Sequence, residues 1–327
     1  MLLRSLGAVC LLLAMTVRGV GEQPAPQPRV LAVTSDKNMG IPAFAFHGFA
    51  KSDRDGNIYV RPSEGFTPAA VLKIAISSSE PTLYTLPAEI RDKFNIMDFG
   101  VTPTGSVRVL TDTADHSKTV VFEFDSKGEM KGRVDFDLPA GVNIYDCLAS
   151  DYGLLLLWGL YGENAAAEKK GNSFVGVFDE SGTLVKRMNE NFGGADLSAM
   201  AKAPLERGAT VGEDGSFYLA NSEEILVLNP AARLVDRIAV KKPLPELRIA
   251  GVYVSGGLAA VRLAKLAKDH SVTFTFLVLD LSRKETIGWY ASDPSIHDAA
   301  VAFSRTDGFT FYEIEQEVVH LVTARLR

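Results

Sequence analysis

At 327 residues, 46% apolar and 23% charged, the chain is long enough for one large core or two smaller ones. Its net charge of −6 is spread thinly, and the densest basic spots are only Glu168–Lys170 and Lys241–Lys242. A protein that neutralises many phosphates needs concentrated Lys and Arg, so the composition argues against a nucleic-acid partner.

In chain order, residues 1–21 come first and differ from the rest. Arg4 opens them, Leu6–Val17 carries no charge, and Gly19 and Gly21 follow. This is the pattern of a secretory signal peptide cleaved near Gly21, too short in its apolar run to span a bilayer. It predicts a secreted or periplasmic protein with no transmembrane segment after cleavage. Residues 22–28 hold Pro24–Pro28 and read as a stiff, extended linker. The remaining residues, 29–327, read as one domain. Cys147 is then the only cysteine left, so no internal disulfide forms, and its apolar setting predicts a buried, inert thiol.

The domain is periodic. A turn glycine followed by an alternating apolar strand recurs at Gly56, Gly105, Gly153, Gly215, Gly257 and Gly308, at intervals of 49, 48, 62, 42 and 51 residues. An apolar stretch precedes each turn. A second strand pair follows it, with its own short Asp- or Asn-opened turn, as in "FDSKG", "FDESG" and "LNPAA". Four short antiparallel strands, repeated six times, predict an all-β six-bladed propeller. Helices are expected only at Ala88–Phe94 and Asp196–Lys202. The sixth copy lacks an outer strand, and the stretch Pro28–Ser35 is strand-like. The expectation is that Arg29–Thr34 closes the ring beside Val318–Thr323. The "DRDGN" run at Asp53–Asn57 is read as a turn, because an EF-hand loop would need its glycine two positions later.

"DGNIYV…VLKI" and "DGSFYLA…EILVLNPAARLV" resemble blades of the NHL-repeat and TolB-like six-bladed propellers, and the resemblance covers roughly residues 29–327. It speaks to architecture and little to chemistry, since that superfamily holds enzymes, sensors and scaffolds. It implies that the starts of the inner strands lie on the ligand-binding top face and the Asp-Gly turns on the opposite one. Those starts offer His47, Asp98, Asp146, Arg207, Arg248, His297 and Asp298. A mixed-sign funnel favours a polar or zwitterionic ligand. A bland alternative is that these groups satisfy loop backbone at strand ends. Two stretches read as long top-face loops, Trp158–Ser173 and Arg262–Ser271. Trp158 and Tyr161 offer flat rings there for a sugar, peptide or protein surface.

No cofactor is expected from the sequence. A divalent cation such as calcium has two weak candidate ligands, Asp98 and Asp146. The Glu, Asn and Asp set of gluconolactonase-like propellers has no residue-by-residue match. Nucleophile elbows, zinc-protease motifs and phosphate loops are absent from the sequence. The reading is a non-catalytic propeller binding a protein, peptide or glycan. Its alternative is a metal-dependent hydrolase or lyase, lactonase-like, with its ion at the channel mouth.

Overall fold

The computed structural model describes residues 26–63, 69–169, 171–187, 209–221, 223–296 and 300–326. The signal segment, most of the linker, the helix expected at Asp196–Lys202, and Arg207, His297 and Asp298 lie outside the described residues.

Two N-terminal strands come first, β1 (Arg29–Val30) and β2 (Ala32–Pro42). Blade one is β3 (Phe46–Ser52), β4 (Ile58–Pro62), β5 (Ala69–Ile74) and β6 (Thr82–Thr85). A one-turn helix, α1 (Ala88–Arg91), leads into blade two: β7 (Phe94–Val101), β8 (Val107–Thr113), β9 (Thr119–Phe124) and β10 (Met130–Asp135). Blade three is β11 (Val142–Ala149), β12 (Leu155–Tyr161), β13 (Ser173–Phe178) and β14 (Leu184–Arg187). Blade four is β15 (Ala209–Val211), β16 (Phe217–Ala220), β17 (Glu224–Leu228) and β18 (Leu234–Ala239). Blade five is β19 (Arg248–Ser255), β20 (Leu258–Leu266), β21 (Val272–Asp280) and β22 (Glu285–Ala291). Blade six has three strands of its own, β23 (Ala300–Ser304), β24 (Gly308–Glu315) and β25 (Val318–Arg325), and takes β2 as its fourth. The fold is a six-bladed β-propeller. Its first strands pack side by side in the cyclic order β3, β7, β11, β15, β19, β23 and back to β3.

An N-terminal strand closes the ring, but later in the chain than expected. The closing strand is Ala32–Pro42, antiparallel to β25, with Ala32 opposite Arg325. Arg29–Val30 instead adds to the edge of blade five, parallel to Tyr290–Ala291 on β22. The hand-over falls on Leu31. Its side chain is buried among Phe276, Tyr290, Phe303 and Phe309, at the seam between blades five and six. Burying that one side chain fixes where the backbone must leave one sheet for the other.

Turn chemistry explains the periodicity. Asp53 accepts from the backbone N–H groups of Asp55 and Asn57, each at 3.0 Å, and Gly56 adopts φ +78°. The same side-chain turn recurs at the outer hairpins on Asp125, Asp179 and Asn229, each accepting from two backbone N–H groups. The inner turns also hold one another. Arg54 N–H donates to Pro103 O (3.1 Å), Thr104 N–H to Asp151 (3.1 Å) and Ser150 Oγ to Gly215 O (3.4 Å). Gly256 N–H donates to Glu213 (3.0 Å), and Arg305 Nη1 to Gly256 O (2.8 Å). Gly56 lies beside Ser304 and Thr310 of blade six. The turns thus form a continuous belt around one face.

Candidate functional site at the channel

The inner strands of blades two, three and five each carry a bulge at the same place. Pairing slips between Ile96 and Asp98, between Ile144 and Asp146, and between Ile249 and Gly251. A bulge re-aims the side chain that follows it and frees nearby backbone groups. In blade two the freed carbonyls of Ile96 and Met97 accept from Arg61 Nη1 of blade one, at 2.9 and 2.5 Å.

The residues that follow the first two bulges are Asp98 and Asp146. They share a register on adjacent strands and are buried, at 5% and 3% exposure. A residue that sequence reasoning missed sits with them. Lys51, on β3, places Nζ 2.5 Å from Asp98 Oδ2. The same ammonium donates to Phe99 O and, at 3.0 Å, to Cys147 O, and it lies over the Phe99 ring at 5.0 Å. Asp98 Oδ2 also accepts from Cys147 N–H at 2.9 Å. One lysine therefore ties together the inner strands of blades one, two and three.

Electrostatics follow from that geometry. Burial works against the Lys51 ammonium, but Asp98, with Cys147 and Asp146 behind it, outweighs burial and raises its pKa above the ordinary lysine value. Burial, aided by Asp98, pushes the Cys147 thiol well above its ordinary range, so it is not a nucleophile at neutral pH. The cation shared by the Asp98 region is thus the protein's own ammonium. A signal for it was present in the sequence. Counted back from the turn glycine, Lys51 occupies the register of Gly100, Leu148 and Val252, all small or apolar.

The other candidates divide. His47 and Arg248 stand exposed near the starts of β3 and β19, at the opposite face from the turn belt. Trp158 and Tyr161 are not on a loop. They belong to β12 and are buried, at 9% and 3% exposure. Trp158 packs in the core between blades three and four and faces the Tyr145 ring at 5.9 Å. Tyr161 has Arg187 over its ring at 5.3 Å, accepts a hydrogen bond from that guanidinium, and has Lys169 at 5.8 Å. Neither ring offers an open binding face. The connecting loop is Gly162–Asn172, shorter than expected. Much of the long third interval lies instead in residues 188–208, between β14 and β15.

The second expected loop is half strand: Arg262–Leu266 belongs to β20, and only Ala267–Ser271 form the turn. β20 and β21 run on as a hairpin beyond the start of β19: Arg248 pairs with Ala264, and the ladder continues to Leu266 opposite Val272. Leu266 and Val272 are 60% and 48% exposed. The hairpin therefore projects from the same face as His47 and Arg248, with Leu266 and Val272 as its last exposed pair below the polar turn Ala267–Ser271. At the other end of the channel, Asp53, Arg54, Glu213, Tyr253 and Phe303 line a cavity of about 10 Å³, room for roughly one water.

No family model matches the chain, and no characterised protein matches its sequence. Solved structures do resemble it in fold. A calcium-binding protein, regucalcin, from Agrobacterium tumefaciens is 12% identical, with a TM-score of 0.49, over 92% of this chain and 98% of that one. The Pan2 WD40 domain of Neurospora crassa is 10% identical with a TM-score of 0.49, over 92% and 98%. A putative gluconolactonase is 10% identical with a TM-score of 0.48, over 90% and 93%. All three are propellers, and at these identities the likeness concerns architecture alone. Among the described residues, no helix is long and apolar enough to cross a membrane.

Proposed function

We propose that this protein is an exported, NHL- or TolB-like propeller that binds a partner at the face bearing His47 and Arg248, without catalysing a reaction on it. The observation that carries this reading is the β20–β21 hairpin, which holds Leu266 and Val272 out into solvent above that face. An exposed cross-strand pair of large aliphatic side chains on a rigid ladder favours a protein or peptide partner over a glycan. The uncharged run in residues 6–17 supports export. The enzymatic alternative loses support from Lys51, because the carboxylate best placed to hold a channel ion, Asp98, already faces an ammonium.

The test uses a random peptide library and a glycan array probed with the wild-type protein and with a Leu266→Asp/Val272→Asp double variant. The expected result is selection of apolar-containing peptides that the double variant binds at least tenfold more weakly, roughly the loss of two aliphatic anchors. Selected peptides that bind the double variant equally well would refute the hairpin as the binding element. Chelator-sensitive hydrolysis of a lactone by the purified protein would overturn the non-catalytic reading itself.

A further inference from the structure

The outer part of blade six gathers three metal-ligating side chains far in sequence from one another. β25 pairs on one side with β2 and on the other with β24, so that His320 stands opposite Asn38 and opposite Glu313. Side chains two residues along a strand return to the same face. Asp36 and Glu315 are therefore diagonal neighbours of His320 on its two flanking strands. Asp36 Oδ1 lies 2.8 Å and Glu315 Oε2 3.9 Å from His320 Nδ1, and the three ligand atoms all fall within 4.8 Å of one another.

Two carboxylates converge here on one imidazole, and neither Asp36 nor Glu315 forms an ion pair with a lysine or arginine among the described residues. One imidazole nitrogen and two carboxylates within 4.8 Å of one another are the donor set of a borderline divalent metal. Zinc binds such nitrogen and oxygen ligands at about 2.0–2.2 Å, which in a tetrahedron spaces them roughly 3.4 Å apart. The observed separations bracket that spacing. Calcium, which takes six or more oxygens, suits a set with one nitrogen and two carboxylates poorly.

We propose that Asp36, Glu315 and His320 form a divalent transition-metal site, with water completing the coordination, that staples the ring-closing strand β2 to β24 and β25. Its position on the outer strands separates it from the channel, and it stands whether or not the hairpin binds a partner. Because the ligands come together only when the ring is closed, metal binding and closure are linked.

The experiment takes the full chain after chelator treatment and dialysis. Zinc binding is followed by titration calorimetry near pH 7.5 and by thermal melts with zinc, manganese or calcium. Wild type is compared with His320→Gln and with Asp36→Asn, an exposed position where the substitution leaves packing untouched. The expected result is one zinc per chain, a melting temperature raised by zinc more than by calcium, and affinity roughly tenfold or more weaker in each variant. Absence of zinc binding to the wild type would overturn the proposal. So would equal zinc affinity of Asp36→Asn and wild type, since that places the metal elsewhere. If His320→Gln fails to fold by circular dichroism, Asp36→Asn alone decides.

Discussion

Replacing Lys51 with methionine tests the channel lock directly. The substitution keeps an unbranched side chain of similar length and removes only the ammonium. Asp98 would then be left at 5% exposure with one donor, Cys147 N–H at 2.9 Å, in place of two. The carbonyls of Phe99 and Cys147 would lose a donor as well. Removing one member of a buried ion pair costs about 3–5 kcal/mol, because the charge left behind is uncompensated. For a domain of this size each kcal/mol shifts the melting temperature by roughly 2 °C, so a fall of about 6–10 °C is expected. Guanidinium unfolding of Lys51→Met, Asp98→Asn and the double variant would complete a cycle. A coupling energy of about 2 kcal/mol or more between the two sites is expected. A Lys51→Met protein within about 0.5 kcal/mol of wild type would show that the lysine merely fills space, and Asp98 would return as a candidate ligand.

Deleting residues 26–42 should prevent stable folding. It uncovers the edge of β25 and removes Leu31, Met39 and Ile41, all at 5% exposure or less. At about 1.5–3 kcal/mol per buried aliphatic side chain, that loss alone approaches the whole stability of a domain. A monomeric, cooperatively melting deletion product, seen by size-exclusion chromatography and calorimetry, would contradict the closure. A third expectation concerns alkaline pH. The Lys51 pKa is raised in the folded state, so its stabilisation is complete below its ordinary value of 10.5 and is lost as pH rises through the raised value. The stability gap between wild type and Lys51→Met should therefore be flat from about pH 7 to 10 and narrow above that. A gap that closes near neutral pH would disprove the assignment of the gap to this ammonium.

What could be read from the sequence was whatever repeats. The turn glycines, the Asp and Asn side chains that accept from their own turns, and the alternating strands specify each blade locally, so the blade count followed from one pattern. The missing outer strand of the sixth copy pointed to closure from the N-terminus. Its register was hidden because it depends on Leu31 choosing between two blades, a long-range packing event. Trp158 and Tyr161 were misplaced because "WGLYG" looks like a loop. Gly159 is in fact a strand residue, needed because a Cβ there would lie 2.1 Å from Asn143 O. Lys51 was overlooked for a related reason. A lone lysine near a turn normally reads as surface, and only the neighbouring blades, 47 and 96 residues away, give it buried acceptors. Arg207, His297 and Asp298 fall outside the described residues.

The closing contact has a consequence in time. Ala32 pairs with Arg325, so one of the first two strands of the fold to be synthesised waits for the last. At roughly 5–20 residues per second on a ribosome, about 15–60 s separate the appearance of the two. For that interval β2 is an unsatisfied strand with no native partner in existence, while five blades behind it have everything they need. Its early residues are mostly polar, Thr34–Asn38, with the apolar Met39 and Ile41 held to the end. A waiting strand written this way has little to stick with until β25 arrives.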